Sequence, residues 1–161
     1  MGLTERQQRT TELSYWEGEI PLRYKYTFGI AGEAFFQALK NKGVLLAARC
    51  PACGKAYLPP RIYCEACFAE IDPASFFDAG LRGTLHSWTA CYENMDGSRK
   101  EHPTLLGIIR INGTDGSLYH RLGEVREKNL RMEMAMEAVL VPKRDRKGGI
   151  EDIRYFKPVK R

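Results

Sequence analysis

Residues 20–28 show the clearest alternation of apolar and polar positions near the start of the chain. Every second side chain there is apolar or aromatic, and Arg23, Lys25 and Thr27 lie between them. This period of two predicts an extended segment with one aromatic face. Because the aromatic row precedes any recognisable core, we expect it to lie either on another protein or on the chain's own domain.

One helix is predicted on each side of this segment. Residues 4–17 are rich in helix formers and predict an amphipathic helix or a docking arm. Gly29 and Gly32 predict a break, after which residues 33–41 form a short helix with Phe35 and Leu39 on its apolar face. Gly43 supplies the expected stop.

The rest of the chain predicts mainly strands. Residues 83–89, 104–111 and 118–122 are rich in strand formers, and a turn of Gly, Asn and Asp at 112–117 joins the last two as a hairpin. Residues 44–48 predict an earlier strand, and residues 150–156 predict a final one.

For residues 131–141, the helix propensity of the residues and the spacing of the apolar positions predict different structures. The Met, Glu, Ala and Leu content favours helix, yet Met132, Met134, Met136, Ala138 and Leu140 occupy every second position. That spacing places all of them on one face of a strand, whereas it spreads them around a helix. We therefore predict a strand.

Four of the five cysteines form two Cys-x-x-Cys pairs, Cys50 with Cys53 and Cys64 with Cys67. Each pair presents two thiolates from one tight turn, which together make the ligand set of a tetrahedral structural zinc site. Gly54 follows the first pair and suits a knuckle in which a residue needs positive φ.

Other uses of paired cysteines fit the sequence less well. Disulfides are typical of secreted proteins, but residues 1–11 are polar where a signal peptide would be apolar. A redox-active Cys-x-x-Cys does not require a second pair. A zinc ion with four thiolate ligands has no open position for water, so we expect no metal-centred catalysis.

Together these elements predict a mainly β fold with N-terminal helices. A rubredoxin-like four-cysteine zinc ribbon is expected to precede a five-stranded OB-fold barrel. We expect residues 1–43 to form the arm and helix, residues 44–75 the ribbon, and residues 76–161 the OB-fold domain.

Composition narrows the class of protein. Of the 161 residues 43% are hydrophobic, which is enough to bury a core. The formal net charge of +5 favours an anionic partner such as nucleic acid, a phosphorylated cofactor or an acidic protein face. No apolar run is long enough to cross a bilayer, and we expect a cytoplasmic protein without a membrane partner.

No catalytic residue is assigned. Cys91 is the one cysteine outside the pairs, and no local signature connects it with His86, His102 or His120. A small buried apolar role suits Cys91 better. The sequence also lacks a phosphate-binding glycine loop and a serine-elbow motif.

Basic residues cluster in the predicted loop at 142–149, at Lys143, Arg144, Arg146 and Lys147. With aromatic residues such as Trp88 and Tyr92, they fit the binding of a single-stranded nucleic acid by an OB barrel. The same cations fit the phosphates of coenzyme A. Acidic neighbours interrupt the charge, so a merely solvated loop is a third interpretation.

Several motifs, taken in order, resemble a known family. They are Arg49-Cys50-x-x-Cys53-Gly54, Tyr57-x-Pro59-Pro60-Arg61-x-x-Cys64-x-x-Cys67, Gly83-Thr84-Leu85-His86-Ser87 and Ile150-x-Asp152-Ile153-x-Tyr155-Phe156-x-Pro158. Their joint order resembles the zinc-ribbon plus OB-fold proteins encoded beside thiolases. The resemblance covers roughly residues 20–158.

The resemblance implies a function. Members of that family assemble with thiolases or related acyl-CoA condensing enzymes, which hold the catalytic cysteine and histidine. The motifs Tyr15-Trp16-x-Gly18 and Tyr24-x-Tyr26 resemble accessory subunits of anaerobic aromatic degradation, a group that includes small subunits of benzoylsuccinyl-CoA thiolases. A zinc-containing, non-catalytic subunit of a hetero-oligomer is implied, with CoA or acyl-CoA at the interface with a thiolase-fold chain.

The candidate partner-binding residues are aromatic and precede the ribbon: Trp16, Tyr24, Tyr26, Phe28, Phe35 and Phe36. The candidate contacts of the CoA phosphates are the four basic residues of the 142–149 loop. The alternative function is that of a single-stranded nucleic-acid-binding module.

Overall fold

A computed structural model describes Gly18 and residues 23–159. The helix predicted at 4–17, and Trp16 within it, lie outside the described residues. The helix α1 spans Gly29–Asn41. The strands are β1 (Leu46–Arg49), β2 (Ala56–Tyr57), β3 (Phe77–Asp78), β4 (Arg82–Glu93), β5 (Arg99–Ile111), β6 (Ser117–Arg121), β7 (Ala135–Leu140) and β8 (Ile153–Pro158).

The helix α1 begins at Gly29, four residues before its predicted start at residue 33. The N–H of Gly29 donates to the Thr27 hydroxyl at 3.0 Å. A Cβ at position 32 would lie 2.9 Å from Cβ of Phe28, whose ring packs on Phe36 with centroids 4.9 Å apart. Gly32 therefore permits close packing inside the helix and does not interrupt it.

Gly43 ends this helix as predicted. Its φ is +72°, and its N–H donates to the carbonyls of Ala38 and Leu39, at 3.0 Å each. A left-handed glycine that satisfies the last helical carbonyls is a common way to end a helix. The chain then enters β1.

The ribbon strands β1 and β2 form a small antiparallel sheet with β3 of the next segment, in the order β2-β1-β3. β1 pairs Ala48 with Tyr57 on one side and Ala47 with Phe77 on the other. The strand β3 was not predicted, because two residues are too few to show a period. Through β3, the segment that leads into the barrel remains hydrogen-bonded to the ribbon.

The five remaining strands form the predicted barrel, in the order β6-β5-β4-β7-β8. A parallel bridge between Leu122 and Phe156 connects the two ends of this sheet, and the N–H of Gly123 donates to the Phe156 carbonyl at 2.8 Å. A five-stranded sheet that closes in this way is an OB fold.

The strands β4 and β5 are longer than predicted. They continue to a tight turn in which the N–H of Asn94 donates to the Ser98 carbonyl at 2.8 Å and Gly97 has a φ of +79°. The polar turn sequence Asn-Met-Asp-Gly-Ser is the signal for this hairpin, and it lies between the segments that were predicted as strands.

The second part of the methionine-rich segment, Ala135–Leu140, forms the strand that its period predicts, whereas residues 131–134 lie outside the strand and include a turn. Met136 and Ala138 of β7 are buried, while Met132 precedes the strand and is 68% exposed. The final strand β8 begins at Ile153, later than predicted, because Ile150–Asp152 forms a 3-10 turn. In β7, burial of one face of the strand outweighs the helical propensity of the methionine-rich segment.

One main core joins the helix to the barrel. Phe35 and Leu39 of α1 pack in the same cluster as barrel residues that include Leu85, Ile109 and Phe156. Phe35 is only 1% exposed, so its assignment to a partner surface is wrong. No helix in the described ranges is long and apolar enough to cross a membrane.

Candidate functional site

The cysteines lie on two tight turns of similar construction. In the first, the N–H of Gly54 donates to the Cys50 carbonyl at 3.0 Å, and Gly54 has the predicted positive φ, +76°. In the second, the N–H of Phe68 donates to the Cys64 carbonyl at 2.9 Å, and Phe68 has a φ of +60°. Phe68 thus occupies the position that glycine holds in the first turn.

The two turns bring all four sulfurs together. The Sγ atoms of Cys50, Cys53, Cys64 and Cys67 lie within 4.8 Å of one another. The Cys50–Cys67 and Cys53–Cys64 sulfur distances are 3.5 and 3.6 Å. A tetrahedral zinc with Zn–S bonds of about 2.3 Å places its sulfurs about 3.8 Å apart, so the donor set fits zinc.

A tyrosine that sequence analysis did not single out lies against this centre. The Tyr57 hydroxyl is 3.1 Å from Sγ of Cys64, and both residues are buried. This hydrogen bond lowers the pKa of Cys64 to about 6 and raises the pKa of Tyr57 to about 12. The hydroxyl therefore stabilises the thiolate, which is the form that binds metal.

The Tyr57 ring also has charged neighbours. The Lys55 ammonium and the Arg61 guanidinium lie 5.6 and 5.2 Å from its centroid. Glu65, next to the ligand Cys64, pairs with Lys55 at 3.1 Å and with Arg61 at 2.6 Å. The hydrogen bond from Lys55 is the main reason why the pKa of Glu65 lies below its ordinary value.

The predicted hairpin turn at 112–117 fixes the barrel to the ribbon. Asp115 exchanges two hydrogen bonds with Ala56 of β2. Arg49 donates to the Gly54 carbonyl at 2.9 Å and to the Gly113 carbonyl at 3.1 Å, so one side chain connects the first cysteine turn to the barrel. The metal centre is therefore held at one position on the barrel.

The basic side chains of the loop after β7 differ in role: Arg146 makes structural contacts, and the others are exposed to solvent. Arg146 donates to the Val141 carbonyl at 2.8 Å and to the Leu39 and Lys40 carbonyls at 3.4 Å each. It therefore attaches the end of α1 to the barrel. The side chains of Lys143, Arg144 and Lys147 remain exposed.

A buried carboxylate shapes the same loop. Asp152 is 3% exposed and accepts hydrogen bonds from the N–H groups of Lys147 and Gly148, at 2.8 Å each. Its carbonyl also accepts from the N–H of Val141 at 2.8 Å. The loop is therefore more ordered than the charged hairpin that the sequence suggests.

The aromatic arm is exposed where it is described. Tyr24, Tyr26 and Phe28 are 65%, 83% and 61% exposed, and the two tyrosine rings stack with centroids 5.9 Å apart. Phe36 is half-buried, between Phe28 and the main core. The arm therefore presents an aromatic surface to solvent.

Cys91 lies on β4 opposite Thr104 of β5 and is half-buried. Within the described ranges, no hydrogen bond connects its sulfur with His86, His102 or His120. His86 is 3.4 Å from the Arg110 guanidinium, whereas His120 packs edge-on against Phe156. These side chains do not assemble into a nucleophile and base.

Comparisons with known families and structures agree with this architecture. Residues 38–72 match a family model described as the ChsH2 rubredoxin-like zinc ribbon domain, and residues 78–141 match the ChsH2 C-terminal OB-fold domain. No curated protein matches the sequence.

Two solved structures share the fold. A protein of unknown function from the DUF35 family of Sulfolobus solfataricus aligns with a TM-score of 0.63 and 22% identity, covering 81% of this chain and 87% of that one. An Ltp2-ChsH2(DUF35) aldolase aligns with a TM-score of 0.56 and 18% identity, covering 77% of this chain and 91% of that one. At these identities the likeness concerns the fold alone.

The two family matches occur in the order that the cysteine spacing and the strand pattern predict. The first contains all four metal-binding cysteines, and the second contains most of the barrel. The chain therefore belongs to the ChsH2 family, in which a rubredoxin-like zinc ribbon precedes an OB-fold domain.

Proposed function

We propose that this chain is a non-catalytic accessory subunit of a thiolase complex, which supports assembly and the handling of CoA or acyl-CoA. The observation that carries the proposal is the pair of ChsH2 domains in a chain whose four paired cysteines form a complete ligand set. A zinc with four thiolate ligands offers no position to a substrate, so it serves to hold the ribbon in shape.

The likeness to an Ltp2-ChsH2(DUF35) aldolase supports an accessory role, because that name joins a ChsH2 protein to a second component of an enzyme. The choice of a thiolase partner rests on the resemblance of the cysteine and barrel motifs. The finer proposal is thiolytic cleavage of benzoylsuccinyl-CoA in anaerobic toluene degradation, in the cytoplasm. The catalytic cysteine and histidine are then on the partner chain.

The exposed aromatic arm gives this role a physical basis. Tyr24, Tyr26 and Phe28 leave large apolar areas in water, and covering them with a partner removes that cost. Aromatic side chains lose little conformational entropy for the area that they bury, so they are effective anchors at protein interfaces. We assign the arm to the contact with the catalytic chain.

The exposed cations give a basis for contact with CoA. Lys143, Arg144 and Lys147 remain available to phosphates, and the buried Asp152 orders the backbone that carries them. Arg146 contributes by holding the loop against α1. We assign the three exposed side chains, rather than all four, to the coenzyme.

Purification of the tagged full-length chain from native extract, with mass spectrometry and light scattering, tests this proposal. We expect a thiolase-fold chain to co-purify in a fixed stoichiometry. Replacing Tyr24, Tyr26 and Phe28 together by Ser is expected to weaken that complex, whereas the control Tyr119→Ser changes an exposed tyrosine on the barrel and leaves it intact.

The proposal fails if no thiolase-fold chain is recovered even at low salt. Tight binding to single-stranded DNA that weakens steeply with salt would instead support the nucleic-acid-binding alternative.

A further inference from the structure

We infer that a cleft on the OB barrel binds a small aromatic carboxylate. The cleft has a volume of about 740 Å³ and lies between the β4–β5 hairpin and the connection from β6 to β7. Its size is typical of sites for small molecules, which are often found at the mouths of β-barrels. The residues that line the cleft are separate from the metal centre, the aromatic arm and the basic loop.

The floor of the cleft is apolar and reaches the main core. Leu105 and Leu130 line it, and both are buried members of that core. Trp88 forms a wall and packs against the same core while remaining partly exposed. An apolar body that enters the cleft would cover surface that the barrel itself leaves open, which favours binding.

A bulge in β4 determines the position of Trp88. The register with β5 shifts between Leu85 and Ser87, after which Trp88 lies opposite Gly107. Bulges commonly redirect a side chain beside a binding site. The space beside Gly107 is filled by the side chains of Leu85 and Leu122. The part of the indole that lines the cleft offers an aromatic surface to the ring of a ligand.

The rim of the cleft is cationic. Arg126 and Lys128 line it with exposed side chains. The acid between them, Glu127, accepts a hydrogen bond from the Tyr92 hydroxyl at 2.5 Å. Because the Glu127 carboxylate is already hydrogen-bonded, Arg126 and Lys128 leave a net positive charge at the rim. This charge favours a ligand with a single negative group, and the Arg126 guanidinium matches a carboxylate in planar, two-point geometry.

Single-stranded nucleic acid is less well suited to this surface. Binding of a strand needs successive stacking platforms along a cationic groove. Among the residues that the structure describes, Trp88 is the one Phe, Tyr or Trp that lines the cleft, beside the imidazole of His102, and Glu127 would lie close to a passing phosphate. A flat apolar body that carries one carboxylate fits the floor and the rim together.

Ligand binding at the cleft involves this chain alone. It can therefore be disproved without affecting the proposed thiolase partnership, and the partnership can be disproved without affecting the cleft. The test uses the zinc-loaded full chain, 15N-labelled, with 3-phenylpropionate as the probe. The sequence contains two tryptophans, so the indole N–H signal of Trp88 is assigned by its loss in Trp88→Phe.

We expect 3-phenylpropionate to shift the Trp88 indole signal in a saturable manner. The neutral analogue 3-phenylpropan-1-ol should bind about tenfold more weakly, because it lacks the charge-assisted hydrogen bonds. The double variant Arg126→Gln, Lys128→Gln should lose about tenfold in affinity for the acid. The matched control Lys42→Gln, Arg154→Gln removes the same charge at exposed positions away from the cleft and should change affinity by about twofold or less.

Three results would overturn the inference. They are equal affinity for the acid and the alcohol, an equal loss in both double variants, and the absence of any shift at Trp88. Displacement of the probe by a single-stranded oligonucleotide would assign the cleft to nucleic acid instead.

Discussion

Asp115 and Ala56 exchange two hydrogen bonds between the barrel and the ribbon. The N–H of Ala56 donates to Oδ2 of Asp115 at 2.8 Å, and the N–H of Asp115 donates to the Ala56 carbonyl at 2.8 Å. Ala56 neighbours Tyr57, whose hydroxyl contacts the metal ligand Cys64. A short connected path therefore runs from the barrel turn to the metal centre, and it fixes the orientation of the ribbon.

Replacement of Asp115 by Ala should loosen this attachment. The variant leaves the N–H of the buried Ala56 without its acceptor, which is expected to cost roughly 1–3 kcal/mol of unfolding free energy. Urea unfolding of the zinc-loaded chain measures the loss. Asp145→Ala removes an exposed carboxylate and should change stability by about 0.5 kcal/mol or less. Equal midpoints for Asp115→Ala and the unaltered chain would contradict this account of the attachment.

Tyr57→Phe should weaken zinc binding while the fold is kept. The ring retains its packing, but the hydrogen bond to Cys64 is lost, and changes in such outer contacts commonly reduce metal affinity about tenfold or more. Competition with a chromophoric chelator measures the affinity, and the charge-transfer bands of the cobalt-substituted protein report on the thiolates directly.

The control for this prediction is Tyr63→Phe, since Tyr63 is 56% exposed and lies in the same ribbon. We expect altered cobalt bands and faster zinc loss in Tyr57→Phe alone. Identical behaviour of the two variants would show that the hydroxyl does not act on the metal centre.

Arg146→Gln should lower stability, although sequence reasoning assigned this residue to a coenzyme. Its guanidinium contacts three carbonyls, of Val141, Leu39 and Lys40, and their loss is expected to cost roughly 1–3 kcal/mol. Arg144→Gln is the matched control, because that side chain is 87% exposed and should contribute about 0.5 kcal/mol or less. Thermal unfolding compares them, and equal stability of the two variants would exclude the structural role of Arg146.

The sequence predicts those parts of the fold that are specified by residues close together in the chain. The cysteine spacing specifies the metal ligands because each turn positions two sulfurs by itself. The alternation at Met136, Ala138 and Leu140 identifies a strand because this face of it packs on the core, whatever the intrinsic propensity. The turn at 112–117 specifies a hairpin for the same local reason.

The parts that sequence could not predict depend on distant partners. Arg146 and Leu39 are 107 residues apart, and Asp115 and Ala56 are 59 apart, so no local pattern connects them. Tyr57 lay within a recognised motif, yet only the folded ribbon brings its hydroxyl to Cys64.

The thiolysis rate of the proposed thiolase partner, measured with and without this chain, tests most directly whether the chain is an accessory subunit. Purified thiolase is assayed for CoA-dependent cleavage of benzoylsuccinyl-CoA, first alone and then with an equimolar amount of the zinc-loaded chain. We expect little activity from the thiolase alone and recovery of activity when this chain is added. Full activity of the thiolase alone, unchanged by the addition, would show that this chain is not an essential subunit.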